Sequence, residues 1–538
     1  MRIFIIAIIS IFSFQSFAQT TNWTQQLSSA GADYIGNIKT DAAGNIYTCG
    51  WFEKTINIGS NSLTSAGAYD MFIAKYNSSG NCLWAIQAGG SAEDVAKSIS
   101  VDTAGYIYVT GYFEDNASFE NNSIASDGAR DIFISKYDTA GNLIWVEHVG
   151  GIHIDEANAI TTDAVGNVYV AGVFNSSASF DTTSVTSVGL DDIFVTSYTS
   201  EGTFRWVQQA GGSENDNITG IACDNNSNIY LSGYFNDTLL INNDTVLSTG
   251  LTDALILKYD SSGNIVWHKN YGGTNYDYTS GIATTSNGYF YLTGNYTDYI
   301  LTFESDTLWN RGESDFFISL FDTAGTYQWS SRGGGADYDY TFDINVDKDD
   351  NAYITGAIKD SLVTFYDGTQ MQSAGGDDAF IAKYTENGDL FWAQQFGSTY
   401  YEYGNAIATD TSGNIYLGGT FENSLALGTD TLTCQGLTDV YITSYTNITS
   451  GIINTTINAP TIIAFPNPTE GAFTLEIKGK EKTSQLIITN ALGQVIEIEK
   501  VSDGKDYLQL NLSNQPSGMY LLNVVSNNSY STFKIVKR

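Results

Sequence analysis

The 538-residue sequence contains few cysteines, prolines and histidines: four, four and three, respectively. The cysteines Cys49, Cys82, Cys223 and Cys434 form no Cys-x-x-Cys pair, which argues against a zinc site and a disulfide framework and leaves open a single Cys49–Cys82 bridge. Basic residues are scarce too, with 23 Lys and Arg against 59 Asp and Glu and a formal net charge of −36. A polyanionic chain does not neutralise phosphates, so the composition argues against a nucleic-acid partner.

The sequence also lacks the common catalytic motifs. It contains no Gly-x-Ser-x-Gly, no His-Glu-x-x-His and no phosphate-binding loop. His148 and His268 lie in predicted strands and are expected to be structural. His153, two residues before Asp155, leaves a general-base role open. On these grounds we expect a protein that is not an enzyme.

What the sequence does contain is a regular series of tryptophans, 61 to 63 residues apart. A fixed period of this size indicates an array of similar units. The number of domains is therefore inferred from the repeat and not from the average size of a domain. The series comprises Trp23, Trp84, Trp145, Trp206, Trp267, Trp329 and Trp392.

Each unit reads as four short strands. In residues 94–150, four runs rich in β-branched and aromatic residues are bounded by turns such as Asp102-Thr-Ala-Gly105. Seven such units predict an all-β fold, a seven-bladed β-propeller. The seventh unit, after Asp439, lacks a Trp strand, so the lone strand around Trp23 is predicted to close the ring. An open solenoid is the alternative.

The units resemble the SBBP-type β-propeller repeat of secreted bacterial proteins. The resemblance rests on the recurring Asp-x-Phe-Ile-x-Lys-Tyr-x-x-x-Gly-x-x-x-Trp segment and on the Asp-x-x-Gly-Asn-Ile-Tyr hairpin, over about residues 20–447. It supports the propeller and says little about a ligand. The propeller is expected to be monomeric.

The last 79 residues read differently, as alternating strands with turn residues between them, and predict a small Ig-like β-sandwich. They resemble the C-terminal sorting domain of the type IX secretion system of Bacteroidetes. That resemblance implies contact with the secretion machinery, passage through the outer membrane and release or attachment at the surface; an ordinary Ig-like module is the alternative. The matching residues are Pro466, Asn467, Pro468, Gly471, Gly518 and Tyr520.

The first residues predict a secretory signal peptide, with Arg2, an apolar stretch and a small-x-small site before Gln19. A membrane anchor is the weaker alternative because the apolar run is shorter than the ~20 residues needed to span a bilayer, and we expect no transmembrane protein. The predicted organisation is a signal peptide at 1–18, a propeller at 19–447, a linker at 448–459 and a sorting domain at 460–538.

Three acids recur with the tryptophans. One precedes each predicted inner strand, one heads the Asp-x-Phe-Ile segment, and one opens the Gly hairpin in six of the seven units. Recurrence in every unit favours a structural role, with the carboxylates accepting backbone N–H bonds. Calcium remains open because hard cations prefer clustered oxygens. The calcium candidates are Asp224, Asp347, Asp349 and Asp350.

Departures from the repeat are more informative about function. The fifth to seventh units carry tyrosines beside the acid that precedes the inner strand, where most earlier units carry other residues. Tyrosines with carboxylates suit sugars or protein loops, and packing between blades is the alternative. The predicted ligand-binding residues are Tyr276, Asp277, Tyr278, Tyr338, Asp339, Tyr340, Tyr400, Tyr401, Glu402 and Tyr403.

Together these features predict a secreted or outer-membrane-surface propeller, exported through the periplasm, that acts as a non-enzymatic binding or adhesion scaffold for a glycan or protein ligand. The alternatives are a secreted enzyme acting on polysaccharide, a lyase or glycosidase, and a purely structural surface protein. Fold alone does not decide between them.

Overall fold

The structure is a computed structural model that falls into two compact units, Met1–Ile448 and Thr449–Arg538. The first is described over residues 21–304, 306–359, 362–428 and 430–446, and the second over 461–465, 472–478, 483–490, 495–499, 507–526 and 529–538. The predicted signal peptide and linker lie outside these ranges. The described residues form strands and turns without a helix.

The first unit contains seven groups of four antiparallel strands, the blades of the propeller, and the ends of several outer strands pair with the next blade so that some blades share one continuous sheet. The inner strands are Asp33–Thr40, Asp94–Val101, Asp155–Thr162, Asn217–Cys223, Asp277–Thr284, Asp339–Val346 and Glu402–Thr409. The second strands are Ile46–Phe52, Ile107–Phe119, Val168–Phe180, Ile229–Ile241, Phe290–Tyr296, Ala352–Ile358 and Ile415–Phe421. Blades are numbered 1 to 7 in this order.

Two further strands complete each blade. The third strands are Asp70–Tyr76, Asn122–Tyr137, Thr183–Tyr198, Asp244–Tyr259, Asp315–Phe321, Asp378–Tyr384 and Asp439–Tyr445. The outer strands of blades 1 to 6 are Cys82–Gly90, Leu143–Gly151, Phe204–Gly211, Ile265–Tyr271, Tyr327–Gly334 and Leu390–Phe396. The third strands are buried along their core segments and the outer strands are mostly half-buried, as expected for sheets packed face to face around apolar clusters.

The connection between the second and third strands is a hairpin in every blade. In blades 2 to 4 it is an extension of the two strands themselves, so that these strands are 13 and 16 residues long. In the other blades it is a separate pair: Thr55–Ile58 with Asn61–Thr64, Ile300–Phe303 with Asp306–Trp309, Val363–Phe365 with Gln370–Met371, and Ser424–Leu427 with Asp430–Thr433.

The ring closes as predicted. The outer strand of blade 7 is Thr21–Leu27 from the start of the chain, which pairs antiparallel with Asp439–Tyr445 and places Leu27 opposite Val440. Each inner strand contacts the inner strand of the next blade, and the seventh contacts the first. These contacts exclude the open solenoid, because a solenoid leaves its terminal units apart.

Strand direction gives the ring two faces. The tight turns between the inner and second strands and between the third and outer strands lie on one side, the turn face. The hairpins and the connections from one blade to the next lie on the other side, the loop face. The sequence predicted this division. A ligand that contacts residues differing between blades would bind at the loop face.

The repeated tryptophans join neighbouring blades at the turn face. The indole Nε1 of Trp145 donates to the carbonyl oxygen of Ser200 in the next blade at 3.1 Å. Gly202 of the same turn has a φ of 85° and lies so close to the indole that a Cβ would stand 3.1 Å from the ring. The same indole bond joins Trp23 to Ser78, Trp84 to Thr139, Trp206 to Ser261, Trp267 to Thr323, and Trp329 to Glu386.

The second unit contains two antiparallel sheets. One has three strands, Thr461–Phe465, Ala472–Lys478 and Tyr507–Asn511. The other has four strands, Val495–Glu499, Thr483–Asn490, Gly518–Ser526 and Ser529–Lys537. Two antiparallel sheets are the content predicted for a small β-sandwich.

Candidate functional site

The acids of the first Gly hairpin, between the inner and second strands, are bound within their own turns. The Oδ1 atom of Asp224 accepts the backbone N–H groups of Asn226 and Asn228 at 2.8 and 2.9 Å, and its Oδ2 atom accepts the hydroxyl of Tyr230 at 3.1 Å. Asp41 makes the same bonds, which lower its pKa although burial opposes the shift. We call these residues the turn acids: Asp41, Asp102, Asp163, Asp224, Asp347 and Asp410.

The calcium candidates do not form an oxygen cage in the described part of the chain. Asp224 and Asp347 are turn acids whose oxygens already accept protein donors. Asp349 pairs with Lys348 at 2.7 Å, and Asp350 accepts the backbone N–H of Ser286 at 2.7 Å. These contacts occupy oxygens that a calcium ion would use, and calcium binding at these four aspartates stays a prediction.

A second set of acids holds the blades together at the loop face. Each member is fully buried at or next to the start of an inner strand and accepts the backbone N–H of the residue four positions earlier, as Asp155 does from Gly151 at 2.7 Å. We call these the junction acids: Asp33, Asp94, Asp155, Asp216, Asp277, Asp339 and Glu402. Their bonds run to the chain itself, as the structural interpretation of the recurring acids predicted.

Burial changes the ionisation of the junction acids. It raises the pKa of Asp94 to about 7 and that of Asp216 to about 8, against the opposing effect of the backbone N–H bonds. A second acid lies beside each one: the Asp70 and Asp94 carboxyls both lie within about 3 Å of where a Cβ on Gly89 would stand. The charge of Asp70 adds to the rise in the pKa of Asp94. The absence of a Cβ at Gly89 therefore leaves room for this pair of acids.

The structure brings together part of the predicted tyrosine set. Tyr338 and Tyr340 stack with ring centroids 6.0 Å apart, Tyr340 stacks on Phe342 at 6.4 Å, and Phe342 meets the edge of Tyr403 from the next blade at 6.2 Å. This row of rings runs along the inner strand of blade 6 from the loop face into the central channel, because Phe342 lines the channel wall.

The other predicted tyrosines lie at corresponding places in the adjacent blades. Tyr276 stacks on Tyr278 at 6.0 Å, and Tyr278 meets Tyr234 of blade 4 at 4.9 Å. Tyr276, Tyr338, Tyr400 and Tyr401 expose 38 to 46% of their surface. We call the whole set the aromatic surface: Tyr276, Tyr278, Tyr338, Tyr340, Tyr400, Tyr401 and Tyr403.

The acidic residues among the predicted ligand-binding residues do not lie at the surface as expected. Asp277, Asp339 and Glu402 are junction acids with no exposed surface, so the prediction that they contact a ligand is corrected. The acids at the surface are Asp337, whose side chain is 43% exposed, and Asp377, which accepts the Tyr403 hydroxyl at 2.9 Å. Carboxylates and ring faces together can hold a polyol by hydrogen bonds and by apolar contact.

Sequence reasoning missed Phe342, Tyr234 and Asp377. A signal for Phe342 was present, because the other six blades carry Gly, Lys, Asn, Thr, Ser and Asn at its position in the inner strand. Asp377 stands directly before the recurring Asp378 and was hidden by it. Tyr234 lies in a second strand, in the preceding blade, and becomes a neighbour of Tyr278 only through ring packing.

The central channel holds a cavity of about 410 Å³ whose lining includes residues from all seven inner strands. Its wall is polar and internally bonded: Lys97 contacts Glu156 at 2.5 Å, and Asp343 accepts the backbone N–H of Ile407 at 2.9 Å. Burial raises the pKa of Asp343. The channel thus offers hydroxyl, amide and charged groups next to the row of rings.

The histidines and cysteines occupy separate places. His148 lies 2.5 Å from the buried carboxylate of Asp131, and His268 lies 3.6 Å from the exposed carboxylate of Asp244. His153 is exposed on the loop face, while Asp155 accepts backbone N–H groups from Gly151 and Asn175. Asp155 is therefore committed to the backbone rather than to a base pair with His153. All four cysteines are free.

The described residues of the predicted sorting motif are Gly518 and Tyr520. Gly518 begins a strand, and the hydroxyl of Tyr520, a buried residue, donates to the carbonyl oxygen of Pro516 at 2.6 Å. Pro466, Asn467, Pro468 and Gly471 lie outside the described residues.

Two family models match the chain. The model described as "Beta-propeller repeat" (SBBP) matches residues 83–112, 205–238 and 392–420, and the model described as "Secretion system C-terminal sorting domain" matches residues 463–538. Both resemblances inferred from the sequence are confirmed. The protein is a secreted propeller protein whose sorting domain directs it through the periplasm to the cell surface or the medium, which implies contact with the type IX secretion machinery.

The curated relatives are much longer proteins. The chain is 25% identical over 500 residues to "Uncharacterized WD repeat-containing protein L264" of Acanthamoeba polyphaga mimivirus, which covers 75% of this chain and 36% of that protein. It is 26% identical over 168 residues to "Regulatory protein FlaEY" of Caulobacter vibrioides, which covers 29% and 17%. The chain thus aligns with about a third or less of the length of these relatives.

Solved structures with similar topology have little sequence in common with this chain. Sqt1 from Chaetomium thermophilum is 9% identical, with 80% of this chain and 100% of that one covered and a TM-score of 0.38. The structure titled "YCF48 bound to D1 peptide" is also 9% identical, with 80% and 96% covered and a TM-score of 0.37. Within the described ranges, no helix has the length and apolar character needed to cross a membrane.

Proposed function

We propose that the mature protein is a non-enzymatic binding scaffold, secreted or displayed at the cell surface, whose aromatic surface holds a neutral glycan. The observation that carries this proposal is the repetition of an exposed tyrosine at the same place in blades 5, 6 and 7, with a second ring stacked behind it in blades 5 and 6. Successive sugar units can lie on successive ring faces, while polar edges fix their orientation.

The charge of the molecule favours a neutral ligand over an anionic one. Residues 19–459 contain 52 acidic and 14 basic residues, so a polyanion approaching this part of the chain would be repelled. At the aromatic surface itself, Lys359 stands 3.4 Å from Asp337 and 5.4 Å from the centre of the Tyr338 ring. That lysine is already shared between a carboxylate and a ring.

The placement of the carboxylates supports a binding role over a hydrolytic one. Glycoside hydrolysis needs two carboxyl groups that flank a substrate bond at an accessible cleft. The acid pairs that recur in the described propeller, such as Asp70 with Asp94, are buried at blade junctions and bound to backbone N–H groups. They serve the fold and do not reach a substrate.

The test is a glycan array probed with the mature full-length protein and with the double variant Tyr338→Ala/Tyr401→Ala. Loss of two exposed rings should weaken binding by about 10- to 100-fold, since each ring contributes on the order of 1 kcal/mol. Tyr106→Ala is the matched control, because Tyr106 is 37% exposed and belongs to the turn face. Glycan binding that survives the double variant, or an array without any hit, would contradict the proposal.

A further inference from the structure

One group of potential metal ligands stands out in the described residues. Asp127, Asp131 and His148 each offer one ligand atom, and these atoms all lie within 4.8 Å of one another. The Nε2 atom of His148 is 2.5 Å from Oδ2 of Asp131 and 3.9 Å from Oδ2 of Asp127. All three residues belong to blade 2, near the loop-face ends of its third and outer strands.

Both Asp127 and His148 are departures from the repeat. The position of His148, three residues after the repeated tryptophan, holds glutamine in four of the other blades, asparagine in one and arginine in one. The position of Asp127, four residues before the third-strand acid, holds Ala66, Val188, Thr249, Arg311, Ala374 and Gln435 in the others. Blade 2 alone combines a histidine and an extra aspartate at these two positions.

A structural role explains one of these departures and not the other. In other blades the residue at the His148 position donates to the third-strand acid, as Gln26 does to Asp439 at 2.7 Å and Asn270 to Asp253 at 2.8 Å. His148 can replace that donor to Asp131. The donor role does not require a second carboxylate beside the imidazole, which is what Asp127 provides.

The local environment is suited to a cation. The Asp131 side chain has no exposed surface, and its Oδ1 atom is buried without a hydrogen-bond partner. Asp155 adds a third carboxyl group near the imidazole. The nearest sequence cation, Arg130, is bound to Glu93, Glu114 and Glu156 at 2.8 to 2.9 Å, so its charge is directed away from the aspartates.

We propose that Asp127, Asp131 and His148 form a binding site for a divalent transition-metal ion of the zinc class. One imidazole nitrogen and two carboxylate oxygens are ligands of that class, and three protein ligands leave a position open to solvent. Zinc bonds of about 2.0–2.1 Å separate tetrahedral ligand atoms by roughly 3.3 Å. The observed separations of 2.5 and 3.9 Å lie on either side of that value.

Access of the metal from solvent and the freedom of one ligand side chain to rotate both favour metal binding at this site. The Asp127 side chain is 68% exposed, so it can rotate toward the imidazole, and the metal can enter from solvent. The His148 ring is held edge-on against Phe113 at 5.6 Å, which fixes its plane while Nε2 points to the carboxylates. One ligand is therefore mobile and two are already positioned.

The experiment is zinc titration calorimetry on the untagged, mature full-length protein, with excess Mg²⁺ to occupy non-specific carboxylates. The expected result is one zinc ion per chain, with affinity reduced at least about tenfold in Asp127→Ala and in His148→Gln. Both replacements occur naturally at the equivalent positions of other blades, so the variants should fold. Asp127→Asn keeps the shape of the side chain and should weaken binding in the same direction.

His268→Gln is the control, since His268 lies in the outer strand of blade 4 near one carboxylate and should leave zinc affinity unchanged. Cobalt substitution gives an independent readout: nitrogen and oxygen ligands should produce visible absorption without the near-ultraviolet thiolate band that the free cysteines would add. Absence of stoichiometric binding, equal affinity in all variants, or a thiolate band would each overturn the proposal.

Discussion

Asp163, on the turn face, and Asp155, at a blade junction, are the same residue type with pKa values shifted in opposite directions. Hydrogen bonds from Asn167 and Tyr169 lower the pKa of the turn acid Asp163 although burial opposes them. Burial raises the pKa of the junction acid Asp155 to about 7 although two backbone N–H groups oppose it. A turn can surround a carboxylate with donors, whereas a junction between two sheets supplies few and places a second acid alongside.

The two faces also differ in what they repeat. The turn face carries nearly the same Asp, Asn, Tyr, Gly and Trp contacts in each blade. Among them, the indole bonds join neighbouring blades. The loop face keeps the junction acids but changes the residues around them, which gives tyrosines in blades 5 to 7 and a histidine with an extra aspartate in blade 2. Repetition thus marks architecture, and departures from it mark candidate sites.

The largest expected effect comes from removing the strand that closes the ring. Deleting residues 19–27 leaves Asp439–Tyr445 as an open edge and exposes the face that Leu27 covers. We expect the melting temperature to fall by about 10 °C and cooperativity to weaken. Scanning calorimetry measures both.

Deleting residues 449–538 provides the control for the closing strand, because they form a separate compact unit. That deletion should leave the propeller transition in place. If the propeller tolerated loss of its first strand as well as loss of the tail, closure would not be the source of its stability.

The second largest expected effect is a difference in stability between a substitution on the turn face and one on the loop face. Trp145→Ala removes a blade-joining indole and its bond to Ser200, and should cost about 3 kcal/mol of unfolding free energy. Tyr338→Ala, on the loop face, should stay within about 0.5 kcal/mol of the wild type. Chemical denaturation of both variants checks the difference, and equal losses would remove the distinction between architecture and site.

A smaller effect concerns pH. Six of the junction acids have folded pKa values of about 7 to 8, above the unfolded values of ~3.9 for Asp and ~4.3 for Glu: Asp33, Asp94, Asp155, Asp216, Asp277 and Glu402. The folded state therefore binds more protons between pH 4 and pH 8, and the unfolding free energy falls as pH rises through this window. We expect the melting temperature at pH 5 to exceed that at pH 8 by several degrees.

Three turn acids act in the opposite direction. The folded pKa values of Asp41, Asp163 and Asp347 are lowered, so their contribution is present above the unfolded pKa and is lost as pH falls through the folded pKa. Asp94→Asn should flatten the slope between pH 5 and pH 8, because the amide resembles the protonated acid. Asp163→Asn should alter the acid limb instead, and an unchanged profile in both variants would contradict these assignments.

Much of the fold could be predicted from the sequence because the pattern of one blade occurs seven times along the chain. The Trp interval set the blade length, and the missing eighth tryptophan indicated closure by the strand around Trp23. The structural role of the recurring acids followed from their recurrence. A property shared by all blades leaves a periodic trace that one sequence can show.

The candidate sites were less predictable because they depend on distances between blades and on which side of a strand is buried. The tyrosines were found as departures from the repeat, but Asp277, Asp339 and Glu402 were assigned to the surface when they are buried in the junctions. His148 was expected to be structural, and its nearness to Asp127 arises from register: the two lie 21 residues apart on different strands. Spatial pairing across strands leaves no periodic signal in the sequence.

The most direct test of the binding role is hydroxyl-radical footprinting of the mature protein with and without neutral polysaccharides, namely a β-glucan, a mannan and a xylan. With at least one of these probes, Tyr338, Tyr400 and Tyr401 should be protected from oxidation while Tyr106 on the turn face is not. Protection of Tyr106 together with the loop-face tyrosines, or unchanged oxidation at all four with every probe, would contradict a glycan-binding aromatic surface.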